Sequence, residues 1–247
     1  MKVLGLIPSR MGSRRLPAKA LLPISGLPLV IHTYRRASLS KLLNKILICT
    51  DSKKIASVAK KFKSKSILTS PHHKNGTERI AEAYVKMEKK FDFVVDIQGD
   101  EPLISPYHID EVIKFHKKNK DVDIVLPTLK IRFSDNPNII KVVTNRKNDV
   151  LYLSRSKIPY EAKSKSSFFL KNLSIISFKP EALIKFAKAK RTNLEKIEDI
   201  ELLRALEIGL KIKTLTLTGD SFSVDVEEDY SRAKDRIIKD KFFKLYK

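Results

Sequence analysis

Four cations stand close together near the start of the chain: Arg10, Arg14, Arg15 and Lys19, with Gly12 and Ser13 among them. Arginine forks and a lysine point charge neutralise phosphate oxygens, and small residues let backbone N–H groups approach the same oxygens. Such a set suits an anion carrying several phosphates; it would also suit a solvated loop in a basic protein. A second set, Gln98-Gly99-Asp100-Glu101-Pro102, puts an amide and a carboxylate side by side. A hard cation bridging phosphate oxygens needs such a carboxylate, because Mg²⁺ takes oxygen ligands and keeps several waters. The same five residues would also make an ordinary turn.

Both sets follow short apolar runs. Residues 3–7 are apolar and bounded by Pro8, and residues 93–97 lead directly into Gln98. Each run predicts a strand, the first one buried on both faces, and ligands of open α/β sheets bind outside the carboxyl ends of such strands. Further strands are expected at 46–50, 66–70 and 122–131, alternating with helices after Pro28, at 53–62, from 75 and near 107–118. That alternation predicts parallel βαβ units. Helical spacing after Pro28 runs through Val30, Ile31, Tyr34, Ala37 and Leu42. Asn75 and Thr77 are candidate caps for the helix at 75, whose stripe is Ile80, Ala83, Tyr84 and Met87.

From about residue 132 the period changes. Two strands, 139–143 and 150–153, are joined by Asn145 to Asp149, a hairpin signature. Residues 128–178 are therefore expected to form a smaller antiparallel lobe. Pro180 starts a helix. Residues 194–208 predict one amphipathic helix with Ile197, Ile200, Leu203 and Leu206 inward, followed by a strand at 211–217 and a last helix at 227–240.

At 247 residues the chain can bury a full core. Hydrophobic residues make up 42% and charged residues 32%, as in soluble globular proteins. No apolar run approaches the roughly twenty residues that cross a bilayer, and the N-terminal run is too short for a signal-peptide core, so a cytoplasmic enzyme is expected. The single Cys49 forbids an internal disulfide, and its apolar surroundings predict a buried thiol. The five histidines form no zinc pattern. Fifty Lys and Arg against 28 Asp and Glu give a formal charge of +22. The excess is mostly lysine and widely spread, with no arginine-rich arm or aromatic platform for nucleic acid. It would attract anionic substrates.

Taken together, Arg10-x-x-Ser13-x-Arg15-Leu-Pro17-Ala-Lys19 resembles the signature loop of the sugar-activating cytidylyltransferases, and most of all that of the 3-deoxy-manno-octulosonate (Kdo) cytidylyltransferases. It ends in neither the Gly-Lys-Ser/Thr of a P-loop nor the three glycines of a dinucleotide fold. Matching segments recur in order: Gly76-Thr77-Glu78-Arg79, Gln98 to Pro102, Ser154-Arg155 with Ile158-Pro159, the helix from Leu194, and Val224-Asp225-Val-Glu-Glu-Asp229.

The resemblance implies an α/β, Rossmann-like GT-A fold: a mostly parallel sheet flanked by helices, with the antiparallel lobe as a dimer interface. It implies one nucleotidyltransferase domain spanning 1–247: a nucleotide half to about 127, the lobe to about 178, and a sugar- and metal-completing half beyond. The implied reaction is CTP-dependent transfer of CMP to the anomeric hydroxyl of Kdo for lipopolysaccharide synthesis, with Mg²⁺ as cofactor and release of pyrophosphate. Arg10, Ser13, Arg15 and Lys19 would hold the triphosphate, Gly76, Thr77 and Arg79 the base, and Gln98 both nucleotide and sugar. Asp100 and Asp225 would hold the metal and, with Arg10 and Lys19, form the catalytic set. Arg155, Asn172 and Glu201 would face the sugar. A homodimer, no membrane insertion and no specific nucleic acid are expected.

The resemblance fails at residues 168–180. Where the family carries His-x-Gly-x-Tyr-x-Tyr, this chain has Asn172, Ser174, Ile176 and Phe178. Asparagine can hydrogen-bond but carries no charge. A sister substrate such as the 8-amino sugar or another nonulosonate is therefore the alternative, and a basic nucleic-acid-binding protein without catalysis a more distant one.

Overall fold

The computed structural model describes residues 1–13, 15–132 and 134–247. Arg14, expected among the phosphate ligands, lies outside the described residues. The chain forms two compact units, one of Met1–Glu111 with Ser221–Lys247 and the other of Val112–Asp220. The final segment thus groups with the first half of the chain.

The first unit begins with β1 (Val3–Ser9), all seven residues of which are buried. A small ribbon follows, β2 (Pro23–Ile24) against β3 (Leu27–Pro28), then α1 (Leu29–Ala37), β4 (Lys45–Thr50) and α2 (Lys53–Lys61). Next come β5 (Ser66–Leu68), α3 (Gly76–Lys86), β6 (Phe93–Ile97) and α4 (Pro106–Lys118), within which the division falls. β1 pairs in parallel with β4 on one edge and β6 on the other, and β5 extends the sheet in parallel beyond β4. The central strand is covered on both faces, as its unbroken apolar run requires. Helix α1 stops before Leu42. Asp110 accepts the backbone N–H groups of Lys41 and Leu42, each at 3.2 Å, and draws the chain out of helical register.

The second unit is built on β7 (Ile124–Ile131). β8 (Lys141–Thr144) and β9 (Val150–Ser154) form the expected antiparallel hairpin. β10 (Phe169–Asn172) pairs antiparallel with both β7 and β8. β11 (Ile175–Phe178) also pairs antiparallel with β7, through Ser177↔Val125, so residues 168–180 form two strands with a register offset at Leu173 and Ser174. Beyond α5 (Pro180–Lys188), the single helix expected at 194–208 is two: α6 (Asn193–Glu198) and α7 (Glu201–Glu207). Asp199 between them is left-handed, with φ 51°. This break rotates α6 out of phase, so Ile197 is 78% exposed while Ile200 and Leu203 are buried. β12 (Ile212–Leu217) closes the unit by pairing in parallel with β7.

The chain then rejoins the first unit and ends in α8 (Glu227–Lys239). Val224, Ala233 and Ile237 pack in one apolar cluster with Leu16, Ile24 and Leu29. The buried Arg36 adds polar ties, to the carbonyls of Ile104 at 2.7 Å and Leu103 at 3.0 Å and to the carboxylate of Asp240. Cys49 is fully buried, as its neighbours predicted, and burial with Asp96 nearby pushes its thiol pKa far up.

Candidate active site

The ends of three elements meet around Pro8. Gly99, two residues past β6, lies so close that a Cβ there would stand 2.6 Å from the Pro8 carbonyl oxygen. Gly76, the first residue of α3, would place a Cβ 3.2 Å from Pro8 Cγ. Glycine at both positions lets the carboxyl end of β1, the start of α3 and the turn after β6 share one small volume. Thr33 of α1 donates to the Gly99 carbonyl at 3.3 Å and holds the turn from behind.

Asp100 follows Gly99, and Asp225 is brought to the same place by the returning C-terminal segment. Val224 N–H donates to the Asp100 carbonyl at 2.9 Å, and Asp229 accepts from the Asp225 backbone N–H at 3.1 Å. Lys19 Nζ lies 2.7 Å from Asp100 Oδ2 and 3.0 Å from Asp225 Oδ1. Arg15 reaches the same Asp225 oxygen at 3.1 Å. Arg10, at the carboxyl end of β1, is exposed, and Ser13 is half-buried with its N–H on the Met11 carbonyl at 2.9 Å. Burial opposes the charge on Lys19, but the carboxylates of Asp100 and Asp225 outweigh it and hold its pKa above the usual lysine value. One ammonium therefore bridges the two acid groups, and Arg15 meets one of them as well.

The other expected nucleotide ligands lie in and near the first turn of α3 and just past β6. Asn75 caps α3 by accepting the Glu78 N–H at 2.8 Å, and Thr77 is buried in the first turn. Arg79 is buried, and its guanidinium bonds Asp51 at 2.9 Å, Thr69 at 2.7 Å and the Ser70 carbonyl at 3.3 Å. It braces α3 to the loop ends beyond β4 and β5. Gln98 turns its amide back to Asp96 at 3.0 Å. Among the described residues, no group of three or more His, Cys, Asp or Glu side chains is placed to hold a metal ion.

A family model described as cytidylyltransferase matches residues 4–212. The chain is also 39% identical, over 234 residues, to a 3-deoxy-manno-octulosonate cytidylyltransferase of Fusobacterium nucleatum subsp. nucleatum, covering 93% of this chain and 94% of that protein. The chain belongs to the cytidylyltransferase family. It is 37% identical over 246 residues to an 8-amino-3,8-dideoxy-manno-octulosonate cytidylyltransferase of Shewanella baltica, covering 97% and 100% of the two chains. Among solved structures, a CMP:2-keto-3-deoxy-manno-octonic acid synthetase complexed with CTP aligns with a TM-score of 0.90 and 29% identity, covering 97% of this chain and 99% of that one. The enzyme is a CTP-dependent nucleotidyltransferase.

The second unit of this cytidylyltransferase carries the three remaining candidates. Arg155 follows β9, and its guanidinium donates to the carbonyls of Glu198 at 2.8 Å, Pro137 at 2.8 Å and Asp199 at 3.0 Å. It thereby satisfies carbonyls that end α6, and its own N–H is held by Glu198 at 3.0 Å. Asn172 ends β10 half-buried, with its backbone N–H on the Ile140 carbonyl at 3.1 Å. Glu201 is the first residue of α7 and half-buried. The buried charge of this region is elsewhere: Arg204 and Glu195 form a two-pronged pair at 2.7 and 2.6 Å, both essentially inaccessible. Sequence reading passed over that pair, and over Asp51 as the partner of Arg79. A carboxylate just past a buried strand was the available signal for Asp51.

Proposed function

We propose that this enzyme transfers CMP from CTP to the anomeric hydroxyl of 3-deoxy-D-manno-octulosonate. The observation that carries the proposal is the Lys19 ammonium held between Asp100 and Asp225 beside a loop bearing Arg10 and Arg15. The relatives named above act, by their names, on this acid or its 8-amino analogue, which supports an acidic octulosonate as acceptor.

In the proposed reaction the anomeric oxygen attacks the α-phosphorus in line. The bond from that phosphorus to the bridging oxygen breaks, pyrophosphate leaves, and the hydroxyl proton passes to solvent. Arg10, Ser13, Arg15 and Lys19 hold the triphosphate and offset the charge growing on the leaving group. Gly76, Thr77, Arg79 and Gln98 are assigned to the nucleotide. For Arg79, whose guanidinium is already engaged, the assignment means holding the start of α3 toward the base. Gln98, Arg155, Asn172 and Glu201 are assigned to the sugar, and Arg155 has N–H donors beyond those it gives to the three carbonyls. Positioning and electrostatics supply the rate, with no covalent nucleophile.

Two carboxylate oxygens within 3.0 Å of one cationic nitrogen are a hard, oxygen-only donor pair, and this fits Mg²⁺, which fills its remaining positions with water and phosphate oxygens. Asp100 and Asp225 would hold it. When bound it supplies Lewis-acid polarisation of phosphate oxygen. A homodimer in the cytoplasm completes the proposal; sedimentation giving a monomer at micromolar concentration would remove the dimer.

The test is pyrophosphate release with CTP and Mg²⁺, offering Kdo and its 8-amino analogue in parallel. Release with Kdo supports the proposal. Release with the analogue alone moves the substrate to the amino sugar and makes residues 172–178 the segment that selects it. Absence of release with either, alongside intact CTP binding, overturns the assignment of the sugar.

A further inference from the structure

Glu101, next to Asp100 in the chain, has no part in the chemistry above, yet its carboxylate is 3% exposed. A buried charge needs donors, and two come from the returning segment. Ser221 donates its hydroxyl to Glu101 Oε2, and Ser223 donates to Oε1 at 3.3 Å. The residues between and after them, Phe222 and Val224, pack against the apolar cluster of Leu16, Ile24 and Leu29. The pattern Ser-Phe-Ser-Val therefore sends hydroxyls to Glu101 and hydrocarbon to the cluster, and so sets the register of the segment. One residue later the Val224 N–H meets the Asp100 carbonyl at 2.9 Å, and the next residue is Asp225.

We propose that Glu101 is a positioning residue: by holding Ser221 and Ser223, it fixes Asp225 opposite Asp100 as the second carboxylate of the metal pair. A slip of the segment by one residue would bring a hydroxyl toward the cluster and turn Asp225 away. Outer partners that orient metal ligands are worth tenfold to a hundredfold in metal affinity. The inference rests on the metal assignment made above.

The test uses Mn²⁺ alone, which takes the same oxygen ligands, with binding to the whole protein followed by water-proton relaxation. Three variants are compared with the parent: Glu101→Gln, which leaves one acceptor oxygen for two hydroxyls; Ser221→Ala with Ser223→Ala; and Asp225→Asn. The first two are expected to weaken Mn²⁺ about tenfold or more, to keep the parent's circular dichroism, and to bind CTP without metal within about twofold of it. A Ser223→Thr variant, which keeps the hydroxyl, should retain the parent's Mn²⁺ affinity. A folded Glu101→Gln protein that binds Mn²⁺ like the parent overturns the positioning role while leaving the metal pair intact. If Glu101→Gln does not fold, the double serine variant decides in the same way. Should Asp225→Asn bind Mn²⁺ like the parent, the metal assignment falls, and this inference with it.

Discussion

Replacing Lys19 with methionine removes a charge shared by Asp100 and Asp225 and keeps most of the side-chain bulk. Both acid oxygens lie within 3.0 Å of Nζ, so they stand at most about 6 Å apart. Two unit charges at that distance repel by about 3 kcal/mol at an effective dielectric of 20. Each lost charge-assisted hydrogen bond is worth about 1.5–3 kcal/mol. Against these stand the recovered cost of burying an ammonium, the partial solvation of the two carboxylates, which are 28% and 30% exposed, and Arg15, which still faces Asp225. The balance is a loss of about 2 kcal/mol at pH 7 without metal. Urea denaturation followed by circular dichroism measures it. Two signatures mark the cause: the deficit shrinks in high salt, and adding Asp225→Asn to Lys19→Met restores part of the stability. The folded pKa of Lys19 is raised, so its contribution is complete below the ordinary lysine value of 10.5 and is lost as pH climbs through the folded one. A Lys19→Met protein within about 0.5 kcal/mol of the parent, with a second substitution that restores nothing, would refute the electrostatic account. The same variant should lose about 10²–10³ in kcat, the usual cost of removing one charge stabiliser from a transition state.

Gly99→Ala drives a methyl into the Pro8 carbonyl at 2.6 Å; thermal unfolding should show a loss of about 1–3 kcal/mol, and kcat should fall as Asp100 shifts. His32 and His116 are fully buried, and burial holds each near a pKa of about 4, below the ordinary histidine value of 6.5. Their folded values are depressed, so stability is complete above pH 6.5 and falls toward pH 4, by about 3 kcal/mol per histidine. Urea titrations between pH 7 and 5 should show that slope, and a folded His116→Gln variant should show a shallower one. Glu195→Gln strands the charge of Arg204 in a site with no solvent access and should cost the second unit about 3–5 kcal/mol by the same denaturation assay.

The first parallel strands were legible because each is a short apolar run closed by proline, glycine or a charge, while their order in the sheet was not. The convergence of Lys19, Asp100 and Asp225 was legible only through ordered motifs, since no local spacing links residues so far apart. Residues 194–208 misled for a definite reason: their apolar positions keep helical period across Asp199, and nothing in that period reveals a left-handed residue. The exposed Ile197 is the result. Arginine destinations were equally hidden. Arg79 and Arg155 each sit in a motif that suggests a ligand, yet Asp51 and the α6 carbonyls occupy much of their hydrogen-bonding capacity, and residue type alone does not name a partner. Glu101 stood in plain view inside a recognised motif, but its serines lie 120 and 122 residues away.

The ion pair that joins Lys19 to Asp225 spans 206 residues, and the whole of the second unit is synthesised between its ends. On the ribosome, the basic loop and Asp100 emerge long before Asp225 exists. During that interval the nascent chain carries Lys19 and Asp100 but not Asp225, the second acid group that Lys19 meets. The pairing of Lys19 with Asp225 thus has to wait until Ser221 to Asp225 have been made and have met Glu101 and Asp100.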